Sequence, residues 1–341
     1  MEQKITDYQP GDDKKILELF KETFGEERSE KFWKWENREN PRGETLLVLL
    51  RKGEEVQGHL CLQPALFKVG KESVIAGQRI NSMFAQGARR KGYYGQMLER
   101  LLEKARGEEM DFTYSFPNNR ALLALTQSRP QAAVIEVHRY VKFLKGWEGA
   151  EHLFTNPLPR LATGLALEVA LRIRRKPPAG KGKVGEVKEF DQSFDLLWKR
   201  VSGMVPVAGV RDSAYLEWRY KRSPKDYIIL GCWEGEELRG YLVLRFQKEV
   251  AHIADLLAEN RETAEALLNG AEELAREKCS VLSCWYLGGE IIEDALRGHG
   301  FRRANSKARL VVESTDPTKH LMKVLSKKEN WLITMGDSDY I

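Results

Sequence analysis

Arg89, Arg90, Lys91 and Gly92 stand together ahead of Tyr93-Tyr94-Gly95 and a run with helical periodicity. Cations and glycines at this density suit one chemistry, the binding of phosphate oxygens. Met97, Leu98, Leu101, Leu102 and Ala105 recur at helical spacing and would share one face. The turn therefore sits at a helix N-terminus, where the first N–H groups have no internal partner and the dipole end is positive. A pyrophosphate fits such a place, and Gly92 would let the main chain approach it closely. The plainer alternative is a basic turn that does no more than open a surface helix. Two other phosphate-binding patterns fail. A P-loop needs Gly-x4-Gly-Lys-Ser/Thr; Gly87 and Gly92 have the spacing, but Tyr93-Tyr94 follow. A dinucleotide fingerprint needs a third glycine, and Gly92-x-x-Gly95 supplies only its tail.

What the stretch matches is R-x-x-G-x-[G/A], with Arg89 in the first slot and Gly92 in the glycine slot. In this it resembles the acyl-coenzyme-A loop of the GNAT acyltransferase superfamily. Tyr94 stands where that family prefers Gly or Ala, and Gly95 comes one place late; the ring either crowds the phosphate cradle or points away. The resemblance implies that Arg89, Arg90, Lys91, Gly92, Tyr93, Tyr94 and Gly95 hold the phosphates of acetyl-CoA or another acyl-CoA. It implies that the preceding strand pairs with the pantetheine arm, which maps onto the backbone of Met83, Phe84 and Ala85. It places Asn118 in the same cofactor site, and it calls for no metal.

Acyl transfer to an amine requires a polarised carbonyl, a neutral amine and a proton for the departing thiolate. Members of the family often carry Asn-x-x-Ala-x-x-x-Tyr for the last task. Asn118-x-x-Ala121 is in register, but Leu125 stands where the tyrosine is expected, and leucine donates no proton. Tyr114, Ser115 and Tyr140 are the substitutes, each with plain packing as its alternative, and water is another. His59, His138 and Glu136 are candidate bases on expected strands.

Other chemistries find no residues. Neither H-E-x-x-H nor G-x-S-x-G occurs, and no His/Cys spacing suits zinc. Cys61, Cys232, Cys279 and Cys284 form no C-x-x-C pair and read as reduced thiols of a cytoplasmic protein. The formal charge is +5 over 341 residues, and no basic stripe is interleaved with aromatics, so no nucleic-acid partner is expected. The N-terminal residues lack an apolar signal core, and no run is long enough to span a membrane.

The elements that must position the basic turn follow from periodicity and breakers. Ile5 to Tyr8 reads as a strand, and Ile16, Leu19, Phe20 and Phe24 as the face of a helix ended by Gly25. A short helix from Phe32 stops before Pro41. Strands over 45–51, 56–67 and 73–85 lead to the turn and its helix, and then come a strand at 110–116, a helix at 120–127 and strands over 132–144. That order resembles the GNAT fold over residues 1–145.

The chain then repeats itself. Phe32-Trp-Lys-Trp35 through Pro41 aligns with Tyr215-Leu-Glu-Trp218 through Pro224, Trp with Trp and Pro with Pro at an offset of 183. Gly53-Glu-Glu-Val-Gln-Gly58 aligns with Gly235-Glu-Glu-Leu-Arg-Gly240 after a one-residue deletion. The expected fold is therefore α/β (mixed-sheet α+β type), with two tandem GNAT-like domains. They comprise residues 1–145 with the coenzyme-A loop, a helical linker at 146–183, and a degenerate copy at 184–341. In the copy the turn reads Asp255-Leu-Leu-Ala-Glu-Asn-Arg-Glu-Thr-Ala264, without glycine and with three carboxylates, so cofactor binding there is expected to be lost. In the linker, Leu158 to Arg175 has an apolar face and a cationic end, suited to packing between domains or to an anionic membrane surface.

In some multi-domain GNAT proteins the chain terminus enters the active site. Asp337, Asp339 or the Ile341 carboxylate would do so here; a frayed surface strand is the alternative. The function these features imply is direct N-acylation, from acetyl-CoA or another acyl-CoA, of a primary amine on a small molecule or peptide. Two alternatives remain. One is a non-catalytic coenzyme-A-binding regulator; the other is an aminoacyl transferase of the cell-wall peptide type, which would not need the turn.

Overall fold

The computed structural model describes residues 2–145, 180–316, 318 and 320–341. The segment read as a linker helix, Leu158 to Arg175, lies outside them. β1 (Gln3–Asp7) leads through Gly11 into α1 (Asp12–Phe24), and Ser29 caps α2 (Glu30–Arg38) by accepting from the Phe32 N–H. β2 (Leu46–Lys52), β3 (Glu55–Val69) and β4 (Glu72–Phe84) form an antiparallel meander. Then come α3 (Tyr93–Gly107), β5 (Phe112–Ser115), α4 (Asn119–Ser128), β6 (Ala133–Glu136) and β7 (His138–Phe143).

The order recurs in the second half. β8 (Lys183–Glu186), α5 (Gln192–Val201) and a short β9 (Val207–Gly209) precede helical turns over 213–221. β10 (Ile228–Glu234), β11 (Glu237–Gln247) and β12 (Val250–Ala258) repeat the meander, followed by α6 (Arg261–Lys278), β13 (Val281–Leu287) and α7 (Glu290–Gly298). β14 (Arg302–Ala304), β15 (Arg309–Ser314) and β16 (Trp331–Thr334) complete the sheet. The aligned glycines have the same use: Gly53 (φ 60°) and Gly235 (φ 61°) open the first hairpin of each half in a left-handed conformation that side chains disfavour.

Helices cover both faces of the first meander, which is why Leu46-Leu47-Val48-Leu49-Leu50 is apolar throughout. Val48 and Leu50 pack with Met97, Leu98, Leu101 and Leu102 of α3, while Leu47 and Leu49 pack with Ile16, Leu19 and Phe20 of α1. Each such side chain contributes about 1.5–3 kcal/mol when fully buried.

The repeat is visible as symmetry. Trp35 donates from Nε1 to the Trp218 carbonyl (2.8 Å), Trp218 donates from Nε1 to the Trp35 carbonyl (3.0 Å), and the rings stack at 5.2 Å. Glu39 and Arg222, separated by the same 183 residues, form an ion pair at 3.0 Å. Positions equivalent in the repeat therefore touch one another, as they must at a pseudo-two-fold axis.

The halves also exchange strands. β15 lies between β5 and β6 of the first half, antiparallel to both, and β7 lies between β13 and β14 of the second half. Each half thus completes its sheet with a late strand of the other, β15 in the first half and β7 in the second. Spatially, the sheet divisions differ from the divisions along the chain, because the pairing crosses both 145 and 184.

Candidate active site

β4 and β5 run parallel and pair at Ala76↔Phe112, Gly77↔Thr113 and Gln78↔Tyr114, then separate. The separation has a local cause in β4. Its ladder to β3 shifts between His59↔Met83 and Cys61↔Ile80, so that Asn81 and Ser82 share the place of one residue, and Asn81 takes φ 46°. Such a bulge bends its strand and increases its twist. Beyond the bulge the chain reaches the basic turn, anchored by the buried Ala88.

Arg90 (φ 61°) and Gly92 (φ 82°) are both left-handed, and Gly92 is the N-cap of α3 with no side chain capping the helix. Among the described residues, a methyl group built at Gly87, Gly92 or Gly95 would meet no atom within 4 Å, so the turn is open there and leaves room for a diphosphate. Arg89, Arg90 and Lys91 are exposed around it. Arg89 donates from Nε to the Phe84 carbonyl at 2.8 Å, which pins its head beside the strand end. The Tyr94 ring leaves the cradle: it packs on Phe84 at 6.3 Å within the α3 core, and burial raises its pKa. Tyr93 also leans on that core. In the strand expected to pair with pantetheine, the Phe84 carbonyl is taken by Arg89, the Ala85 N–H donates to Gln57, and the Met83 side chain is buried.

The remaining candidates divide. Asn118 is exposed and its Oδ1 caps α4, accepting from Arg120 N–H (3.1 Å) and Ala121 N–H (3.0 Å). Leu125 is buried in the core beneath α4. Tyr114 and Ser115 lie at the parting of β4 and β5. The Tyr114 hydroxyl donates to Gln78 Oε1 at 3.3 Å, and burial raises its pKa well above the usual value. Ser115 Oγ is buried without a partner among the described residues. Tyr140 and His138 are elsewhere, because β7 belongs to the second half's sheet: Tyr140 pairs with Cys284 and Arg303, and His138 faces Glu293 at 3.5 Å. Tyr140 is buried there, which pushes its hydroxyl up to about 12. Glu136 sits on β6 near Arg303 and Arg309. His59 is buried at the bulge with Nδ1 2.9 Å from the Asn81 carbonyl, and burial lowers its pKa to about 4, so it is neutral.

A polar group absent from the sequence reading lies on the α1–α2 side of the bulge. Glu36, buried, accepts from Arg28 Nη1 (2.9 and 3.1 Å) and from Asn81 Nδ2 (2.8 Å). Arg28 lies over the Phe20 and Phe32 rings, and Lys225 of the second half lies 5.6 Å from Phe32. Burial, with Arg219 and Arg245 nearby, lowers the Lys225 pKa to about 7. Asp339 belongs to the same neighbourhood: burial, reinforced by Glu36, raises its pKa to about 6 against the pull of Arg28 and Lys225. The repeat held the signal. Arg219 occupies the position equivalent to Glu36, so one copy buries an acid where the other buries a base.

Arg219 fastens the C-terminal segment between the halves, donating to the carbonyls of Gly336 (3.2 Å), Ser338 (2.7 Å) and Ile341 (3.0 Å). Asp337 is committed: it accepts from Arg211 Nη2 at 2.8 Å and from the Thr334 N–H at 2.8 Å. Its backbone carbonyl accepts from Gln78 Nε2 at 3.1 Å, which brings the segment to the parting of β4 and β5.

The second half has a corresponding parting, and it is filled. β12 and β13 pair as far as Ile253↔Cys284; β16 then bonds to the freed edge of β13 at Tyr286↔Thr334 and Leu287↔Ile333. Asp255 and Asp337 flank the buried Arg211, with Tyr241 donating to Asp255 at 2.8 Å. Burial alone would lower the Arg211 pKa; the two carboxylates more than offset it. At the α6 N-terminus, Asn260 accepts from the Thr263 N–H at 2.9 Å, and Glu259 is paired with Arg200 and Arg239.

A family model described as "Acetyltransferase (GNAT) domain" matches residues 4–123. No curated protein matches the sequence. Among solved structures, a probable N-acyltransferase from Enterococcus faecalis is similar at 10% identity and TM-score 0.65, covering 92% of this chain and 73% of that one. A GCN5-related N-acetyltransferase from Anabaena variabilis has the same score and coverage at 9% identity. N-myristoyltransferase of Saccharomyces cerevisiae, solved with myristoyl-CoA, is similar at 9% identity and TM-score 0.59 over 91% of this chain and 77% of that one. At these identities the likeness is one of fold. Residues 4–123 thus match a GNAT acetyltransferase domain, in a chain whose fold is that of GNAT-type acyltransferases.

Proposed function

We propose that the chain is an acyl-CoA-dependent N-acyltransferase that acylates a primary amine of a small molecule or peptide by direct transfer. The observation that carries this is the open turn at Gly92, uncapped at the N-terminus of α3 and next to the place where β4 and β5 separate. When bound, acyl-CoA supplies the thioester. Arg89, Arg90, Lys91 and the first N–H groups of α3 bind its diphosphate, and Tyr93, Tyr94 and Gly95 form the helical turn behind them. Met83, Phe84 and Ala85 lie beside the arm, and Asn118 borders it from the N-cap of α4.

The acceptor enters between the halves, residues 1–145 and 184–341 of the chain, where Glu36 and Asp339 favour a cationic amine. Asp339, ionised above about pH 6, takes the amine proton. Tyr114, or water, returns a proton to the thiolate. The free, buried cysteines agree with a cytoplasmic setting, and among the described residues no helix is long and apolar enough to cross a membrane.

Calorimetric titration with acetyl-CoA, followed by a thiol-release assay over amino sugars, polyamines and peptides, tests the proposal. Binding with turnover supports it. Binding without turnover on any amine favours a coenzyme-A-binding regulator, a reading favoured by the burial of Leu125 where the family often has a proton donor. Absence of binding refutes both. Aminoacyl transfer of the cell-wall type is disfavoured by retention of the turn.

A further inference from the structure

Arg79 and Ser115 are the next residues on β4 and β5 after the last pair, Gln78↔Tyr114. Side chains alternate along a strand, so both face away from the bonded Gln78 and Tyr114. Arg79 has a side chain 5% exposed, and among the described residues only its Nη1 is satisfied, by Glu313 of the exchanged strand β15. Its Nε and Nη2 are buried with no partner among the described residues, and so are Ser115 Oγ and Thr113 Oγ1 on the facing strand. Buried donors of this kind are costly to leave unmade. Their clustering at the root of a parting between strands points to a ligand that supplies acceptors.

Charge narrows the ligand. Glu313, 1% exposed, is shared by Arg79 and by Arg129, whose Nε donates to it at 2.8 Å. The balancing carboxylate for Arg129, Glu99, is 56% exposed. Two guanidinium groups therefore share one buried carboxylate, and the interior of the parting favours an anion over a neutral carbonyl. The spare N–H pair of Arg79, Nε and Nη2, is the edge of a guanidinium that takes a carboxylate in bidentate fashion.

We propose that Arg79 and Ser115 receive a carboxylate at the far end of a short acyl group, so that the acyl donor is the coenzyme-A thioester of a dicarboxylic acid. This rests on the acyltransferase function proposed above. The acyl group enters at the separation of β4 and β5, and its free carboxylate meets the donors at the root.

Calorimetry on the full chain with CoA, acetyl-CoA and succinyl-CoA tests this. Wild type is expected to bind succinyl-CoA about tenfold or more tighter than acetyl-CoA, given the usual strength of charged hydrogen bonds. Arg79→Met should erase that preference while leaving CoA binding unchanged. Because Arg79→Met leaves Glu313 with one partner, its thermal unfolding is checked, and Ser115→Ala, which removes a single hydroxyl, is measured in parallel and should narrow the preference. Equal binding of the two thioesters by wild type overturns the proposal. So does an equal loss for all three ligands in Arg79→Met, which would assign the donors to the pantetheine carbonyls. If wild type binds none of them, the acyltransferase function falls as well; if it binds all three and neither variant changes anything, only the carboxylate site falls.

Discussion

β4 and β5 part after Gln78 and Tyr114, and β12 and β13 part after Ile253 and Cys284. In the second case the chain itself fills the gap. β16 takes the freed edge of β13, Thr334 donates to Asp255 at 3.0 Å, and Arg211 binds two carboxylates across it. In the first case, among the described residues, no strand bonds there, and Arg79 and Ser115 keep unmade hydrogen bonds. The turns beyond the two gaps differ in the same sense. At α3 the N-cap is a glycine with no side chain to satisfy the helix, whereas at α6 Asn260 does so and Glu259 is held by two arginines. One scaffold can therefore be a receptor or a sealed wall, according to whether its polar groups are satisfied by the chain or left for a ligand.

Four measurements break or sharpen this contrast. Gly92→Asp should abolish coenzyme-A binding in calorimetry, because it sets a carboxylate against the phosphates and forces a side chain into φ 82°. The fold should survive, since a side chain at 92 meets open space. Arg211→Met should lower stability to denaturant by about 3–5 kcal/mol, because Asp255 and Asp337 lose their shared cation in the interior. A smaller loss would mean that the second gap is not sealed by that network.

Asp339→Asn should reduce kcat/KM about a hundredfold, the usual contribution of a positioned base. In wild type the rate should rise as pH passes about 6, because the carboxyl must be ionised to accept a proton; the variant should lack that limb. An unchanged profile would remove Asp339 from the chemistry. The smallest effect belongs to Asn260→Ala. Loss of the α6 cap should cost about 1 kcal/mol in thermal unfolding, and the uncapped helix should still bind no coenzyme A, because β16 occupies the gap in front of it.

Much of the first half was legible in the sequence. The basic glycine turn and the apolar face of α3 are written in consecutive residues, and both appear where the spacing places them. The repeat was legible from Trp35/Trp218 and Pro41/Pro224, and the contact of the two tryptophans follows from it. The direction of the Tyr94 ring was not, since it depends on Phe84 across the turn. Nor was the role of Glu36. A carboxylate on a short helix reads as solvated, and its burial comes from Arg28 and Asn81 packing over it. Tyr140 misled for a related reason: alternation along β7 marks a strand but does not say which sheet receives it, and His138–Phe143 pairs with β13 rather than β5. The filling of the second gap depends on contacts such as Thr334 to Asp255, which no local pattern encodes.

The exchange of β7 and β15 bears on how this protein comes off the ribosome. When residue 145 emerges, the sheet around β5 still lacks the strand that separates it from β6, and that strand is not synthesised until residue 314. The first half must wait, holding β7 unpaired, for a partner made later in translation. Neither half can then mature alone, and the nascent chain carries two open edges until the last third of synthesis closes both together.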